Sequence, residues 1–147
     1  MTTTTPAADA RGLALAHYAA RAVLEHFLAR HGVTFPQQVA LRAAVTAESP
    51  RTPDALAAEV RDSLKADPVT VRADLDALLA KGLLATDGAH LRPTDAGRDL
   101  LATTAAEVAP FTARVWAGIP ADDLAAAGRV LAQVTARANA ELATLTP

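Results

Sequence analysis

The chain has 147 residues, 51% apolar, 20% charged and without cysteine, so it can bury roughly 70% of its unfolded surface as one subunit and needs no metal or disulfide to hold it. Thirty-eight alanines carry the apolar fraction against five aromatic residues and one Met; alanine favours helix and buries little area at about 25 cal/mol per Å², which excludes an all-β fold and predicts a thin core relieved by association of long helices. Fourteen Lys and Arg against 16 Asp and Glu leave a net charge of -2 and a pI near 6.0, without the basic excess, a pI above about 9, that usually marks a nucleic-acid-binding domain.

Residues 1–8 are polar and Pro-containing and are expected to be disordered. The start, MTTTTP, has neither the basic region nor the apolar stretch of a signal peptide. No run of about 20 apolar residues is free of charge, and the protein is expected to be soluble and cytoplasmic. From Asp9 to about His31, Leu13, Ala20, Leu24, Phe27 and Leu28 recur three and four apart, a long amphipathic helix stopped near Gly32. A second helix is predicted from Pro36 to Ala47, ending at Glu48-Ser49-Pro50.

Thr52-Pro53-Asp54 reads as an N-cap, a Pro at the first helical position and an acid in the first turn, opening a helix with Leu56, Val60 and Leu64. Asp67-Pro68 repeats the device and opens a helix with Val71, Leu75 and Leu78 on one face, closed by Lys81-Gly82. Two short extended runs around Asp87-Gly88, a dipeptide suited to a tight hairpin turn, follow at once. A helix of roughly 36 Å is predicted over 94–118, which Pro110 should kink or divide. In the last helix Leu124, Ala127, Leu131, Val134, Ala138, Leu142 and Leu145 alternate by threes and fours, a heptad seam that needs another helix against it.

The fold class is therefore mainly α with a small β-hairpin. Two capped helices followed by a hairpin have the layout of a winged helix-turn-helix, whose second helix enters a DNA major groove. The run VTVRADLDALLAKGLLATDGAHLRPTDAGRDLL resembles the recognition helix, wing and wing exit of the MarR family of bacterial regulators, with LRPTDAGR standing for that family's Leu-Thr-x-x-Gly-Arg phrase. RVWAGIPADDLAAAGRVLAQVTARANAEL is similar to its C-terminal dimerisation helices, and the resemblance covers about residues 11–145. It implies a winged helix-turn-helix lobe at 49–94, preceded over 9–48 by the N-terminal helix of a dimerisation region and a second helix, and followed over 95–147 by the C-terminal dimerisation helices. It further implies a homodimer on a double-stranded, pseudo-palindromic operator, released in many such proteins by a small aromatic or phenolic effector.

On the helix opened by Pro68, the side opposite Val71, Leu75 and Leu78 carries Val69 and Ala73, flanked by Thr70 and Arg72. Small residues permit close approach to base edges and Arg72 can reach guanine; the alternative is a plain solvated face. Asp74 and Asp76 oppose strong binding. In the wing, His90 and Arg92 are the DNA candidates, weighed against a polar hairpin edge and a structural pair at the wing base; the family's usual arginine at the wing tip is missing from Thr86-Asp87-Gly88-Ala89-His90. Arg51, Thr52, Arg61 and Lys65 are phosphate candidates, each also readable as a solvated polar group. Between Pro50 and Arg98 seven basic residues face eight acidic ones, which predicts weak non-specific binding.

No constellation points to catalysis: Ser49 and Ser63 are the only serines and neither sits in a nucleophile elbow, so the chain is read as a non-enzyme without cofactor. His17, His26 and His31 cannot share a metal ion within one straight helix, since the outer two lie about 21 Å apart along its axis. An effector pocket is assigned to His17, Tyr18 and Arg21 on the first helix, Arg42 on the second, and Phe111 and Trp116 on the fifth, with dimer packing as the alternative for the last two. The leading function is a MarR-like ligand-responsive transcriptional regulator, acting as a repressor. The second is a MarR-like dimer with weak or lost DNA binding that serves as a small-molecule-binding or protein-interaction module.

Overall fold

The computed structural model describes residues 6–146, so residues 1–5 of the polar N-terminal tail lie outside the described residues. The elements run α1 (Ala10–Arg30), α2 (Phe35–Thr46), α3 (Pro53–Leu64), α4 (Pro68–Ala80), β1 (Leu84–Asp87), β2 (His90–Pro93), α5 (Asp95–Trp116) and α6 (Ala121–Leu145). This is the mainly helical order with one hairpin expected from the sequence. The chain divides between Phe111 and Thr112 into two compact units. No helix is long and apolar enough to cross a membrane among the described residues.

In the first unit, helix starts are set by local capping. The Thr52 hydroxyl accepts from the Ala55 N–H at 3.2 Å and the Asp67 carboxylate from the Thr70 N–H at 3.1 Å, each such cap being worth about 1 kcal/mol. Thr34 and Gln37 form a reciprocal capping box at the start of α2 that the sequence reading did not identify. The core lies where α2, α3 and α4 meet the base of the hairpin. Leu41 of α2, Leu56 and Val60 of α3, Val71, Leu75 and Leu78 of α4, and Leu84 and Leu91 of the strands are all almost wholly buried. Ala40 and Ala44 let α2 approach its neighbours closely.

The antiparallel strands pair Leu84 with Pro93 through to Asp87 with His90. The turn residues are thus Gly88 and Ala89, not Asp87-Gly88 as predicted, a shift of one position. Only the first central residue, Gly88, has positive φ (59°), the pattern of a type II′ turn, which asks for glycine there. A further bridge joins Arg51 to Leu91, whose N–H donates to the Arg51 carbonyl at 2.7 Å, and ties the hairpin to the segment before α3.

The phrase leaving the hairpin has a mechanical role. The Thr94 hydroxyl donates to the Gly82 carbonyl at 2.7 Å and accepts from the Gly97 N–H at 3.0 Å, capping α5 while anchoring it to the end of the helix-turn-helix. A methyl group at Gly97 would fall 2.3 Å from the Leu83 carbonyl oxygen. α5 is not divided at Pro110, contrary to one of the sequence expectations: it runs unbroken from Asp95 to Trp116 with Pro110 inside it. Proline removes a single backbone donor, and the turns on either side keep their own bonds; the two compact units nonetheless part just beyond it.

Along α1 only Phe27 and Leu28 are buried, while Leu13, Leu15 and Tyr18 are exposed. His31 at its C-terminus lies 2.9 Å from the Glu107 carboxylate of α5. In the second unit, α6 buries no residue, and Leu131, Val134 and Leu142 of its heptad seam stay 45%, 43% and 41% exposed.

Candidate nucleic-acid interface

Burial of Val71, Leu75 and Leu78 fixes the orientation of α4. Val69, 75% exposed, Thr70, Arg72 and Ala73 consequently face solvent along its N-terminal half. The Thr70 hydroxyl donates to the same Asp67 carboxylate that caps the helix, at 3.3 Å. Asp74, read from the sequence as a charge opposing DNA, is only partly exposed and is hydrogen-bonded by the Gln37 side chain. Desolvation raises its pKa above the ordinary 3.8, opposed by the Gln37 bond and the nearby Lys81 charge. Lys81 in turn donates to the Gln37 side-chain oxygen at 2.8 Å and to the Gly32 carbonyl at 2.5 Å. This polar strut joins the end of α1 and the start of α2 to the helix that carries the exposed face.

Three of the cationic candidates are paired with acids of the same lobe. Arg51 lies 3.1 Å from Glu59 and Lys65 3.0 Å from Asp62, and Arg72 pairs with Asp54 across the α3–α4 gap. Arg61 and Arg92 form no ion pair among the described residues. The structure brings Arg51, Thr52 and His90 together on the wall of an open depression of about 570 Å³, with Glu48 and Glu59 on the same wall. A smaller groove of about 170 Å³ runs between α3 and α4, with Ala57, Ala58 and Pro68 in its lining and Asp54, Arg61 and Arg72 as its charges. Arg92 is exposed on β2.

The effector candidates are only partly assembled. The rings of His17 and Tyr18 meet edge to face at 6.0 Å, and His17 also meets Phe35 at 6.4 Å. The Arg21 guanidinium lies 4.4 Å over the Phe35 ring and is bonded to Glu25 at 2.8 Å, so Arg21 already has an anionic partner. Phe35, at the first position of α2, is the residue of this group that the helical pattern did not single out. Phe111 packs at 5.0 Å on Phe27. Arg42 is exposed on α2, and Trp116, 54% exposed, belongs to the second unit. No group of three or more His, Asp or Glu gathered for a metal ion occurs among the described residues.

The chain matches no protein-family model and no curated protein by sequence. Among solved structures it is similar to the MarR family protein Rv2887 of Mycobacterium tuberculosis. With the salicylic acid complex of that protein the identity is 25%, covering 88% of this chain and 99% of that one at a TM-score of 0.64; with its DNA complex the values are 24%, 87%, 98% and 0.64. CouR of Rhodococcus jostii RHA1, solved with p-coumaroyl-CoA, is 21% identical over 84% of this chain and 88% of its own, at 0.68. The transcriptional regulator PA3341 is 23% identical over 86% and 95%, at 0.71. The fold is that of the MarR-family regulators.

In this MarR-type fold α3 and α4 are the helix-turn-helix pair and β1–β2 the wing, as the sequence resemblance implied. The acids Asp54, Glu59 and Asp62 are what the sequence reading missed. Only the Asp62–Lys65 pair, three apart on one helix, carries a local signal; Arg72 and Asp54 are eighteen residues apart on different helices, and no periodicity announces their meeting.

Proposed function

We propose that the chain is a MarR-type transcription regulator that binds a pseudo-palindromic DNA operator as a homodimer, acts as a repressor, and is released by a small aromatic or phenolic effector. One observation carries the reading: the N-terminal half of α4 presents Val69, Thr70, Arg72 and Ala73 to solvent beside a wing with exposed His90 and Arg92. Small side chains permit approach to base edges, and the arginine supplies a fork for guanine. Rv2887 has been solved with DNA, salicylic acid and p-aminosalicylic acid, which supports DNA and an aromatic acid as the ligand classes to try first. The homodimer reading is supported by the uncovered seam of α6. Under this proposal the protein acts by binding, not by catalysis, and Thr52, Lys65, His90 and Arg92 meet the phosphate backbone. His17, Tyr18, Arg21, Arg42 and Phe111 are the proposed effector contacts in the first unit, with Phe35 added to them.

The test is selection of bound duplexes from a random-sequence pool by the purified protein at low salt, repeated with salicylate. Recovery of a two-fold-related sequence, lost on adding the aromatic acid, is the expected outcome; a pool that never enriches overturns the reading.

A second reading has its own observation. Arg51, Lys65 and Arg72 each face an acid of the same lobe, which fits a dimer whose DNA binding is weak and whose work is to sequester a ligand or a protein. Arg72→Ala separates the two: the regulator loses about 1–3 kcal/mol of sequence preference, whereas the sequestering module keeps its ligand affinity and has no sequence preference to lose.

A further inference from the structure

We propose that Asp54 is a specificity-determining residue of the lobe, holding Arg72 so that this arginine serves sequence-selective rather than non-specific DNA binding; the inference rests on the DNA-binding reading above. Arg72 leaves the exposed face of α4 near its N-terminus and pairs with Asp54, which lies in the first turn of α3. The two side chains span the α3–α4 groove, whose other lining residues are Ala57, Ala58, Pro68 and Arg61. Asp54 is the single acid in that lining, with Arg72 across the groove on α4 and Arg61 further along its own helix.

Three physical consequences follow from this placement. First, Asp54 neutralises Arg72 in the free protein, and non-specific affinity for DNA is chiefly the neutralisation of phosphates by free cations. Second, a guanidinium has five N–H donors in one plane. The contact to Asp54 uses Nη2, so donors remain for a base edge while the carboxylate restrains the plane, and bidentate recognition of guanine depends on that plane. Third, the Asp54 side chain is 86% exposed and that of Arg72 48%, so the pair is open to DNA. Arg61, in the same groove without an ion pair among the described residues, is left for backbone contact.

An exposed ion pair of no functional consequence contributes only about 0–1 kcal/mol to folding and leaves DNA selectivity untouched, which makes the proposal separable from it. The measurement is the ratio of affinities for two duplexes: the one that wild-type protein recovers from a random-sequence pool, and a scrambled duplex of the same length and composition. Asp54→Asn is expected to tighten the scrambled duplex severalfold and to reduce the ratio roughly fivefold or more, the scale of one good arginine–base contact. Asp54→Glu, which keeps the charge and can still reach Arg72, is expected to restore the ratio. In an Arg72→Gln background Asp54→Asn is expected to leave the ratio unchanged. Asp62→Asn, which releases Lys65 elsewhere on α3, is expected to raise both affinities together. Thermal melts of each variant identify any that do not fold, and Asp54→Ser, which also removes the charge and is expected to lower the ratio in the same way, keeps the comparison decisive if Asp54→Asn is one of them.

The proposal is overturned if Asp54→Asn leaves the ratio unchanged, if its effect persists without Arg72, or if Asp62→Asn lowers the ratio equally. Failure of the wild type to select any duplex overturns the DNA-binding reading and this proposal together, whereas a selective wild type with an indifferent Asp54 overturns this proposal alone.

Discussion

Arg72 and Asp74 sit two positions apart on α4 and meet different surroundings. One step of two residues turns a helical side chain by about 200°, so Arg72 stands toward the α3–α4 groove while Asp74 is packed toward Gln37 and Lys81. The raised pKa of Asp74 has a stability consequence whose sign follows from linkage. Its folded-state pKa lies above the unfolded one, so the group contributes most to stability below the ordinary value of 3.8, and that contribution is lost as the pH rises through the raised folded value. At neutral pH the ionised carboxylate is therefore carried at a cost. Asp74→Asn, which can still accept from Gln37, should raise the melting temperature near pH 7, and the gain should vanish below about pH 4, where Asp74 of the wild type is itself protonated. Melting curves across that range check it; a gain that is constant with pH would mean the charge of Asp74 is not what is removed.

At the scale of elements, the junction of wing and α5 is held by two small features. Thr94 caps α5 and bonds back to Gly82, and Gly97 lies so near Leu83 that an added methyl group would meet its carbonyl oxygen at 2.3 Å and Leu41 Cδ1 at 3.1 Å. Backbone does not yield as a flexible side chain does. Gly97→Ala should thus destabilise by about 1–3 kcal/mol, the usual cost of overpacking, read as a lower urea midpoint with an unchanged slope. A midpoint equal to wild type would show that α5 can shift without loss. The glycine of the LRPTDAGR phrase is explained by this close approach, which a string of letters does not reveal.

α6 poses the opposite problem, since its apolar seam is present but uncovered. Leu131, Val134 and Leu142 retain over 40% exposure, and a helix of 25 residues with a heptad seam is stabilised in water mainly by a partner. If the proposed dimer forms through this seam, the wild type should sediment as a dimer and a Leu131→Glu/Val134→Glu variant as a monomer, which should also lose the proposed operator binding while the first unit keeps its helical signal. An equal sedimentation coefficient for the two proteins would remove α6 from the interface.

For the whole molecule, charge is the quantity that most shapes function. The lobe carries nearly balanced charge, and three of its cations are already engaged by acids. Under the proposed function, binding a duplex would exchange internal ion pairs for phosphate contacts and leave carboxylates near the DNA. Non-specific affinity should accordingly be low even at low salt, and a fluorescence-polarisation titration on scrambled duplex should find binding weaker than the 10⁻⁴–10⁻⁶ M typical of non-specific complexes at physiological salt. Tight binding to scrambled duplex would show that the acids swing clear at no cost.

Much of this protein is written locally in its sequence. Capping residues such as Thr52 and Asp67, the Val71-Leu75-Leu78 stripe and the hairpin each depend on neighbours within a few positions, so periodicity and turn chemistry were sufficient to determine the order of elements and the orientation of α4, while the resemblance to the MarR family rested on particular phrases such as LRPTDAGR. The turn was displaced by one residue because strand register is settled by pairing of both strands, Asp87 with His90, and not by the dipeptide alone. Tertiary structure decided the rest: that Arg72 meets Asp54, that Asp74 turns away from the exposed face, that Phe35 lies under Arg21, and that Arg51 is bridged to the wing. These are through-space meetings of residues on different elements, and a charge or an aromatic ring reads the same in sequence whether it faces solvent or a partner.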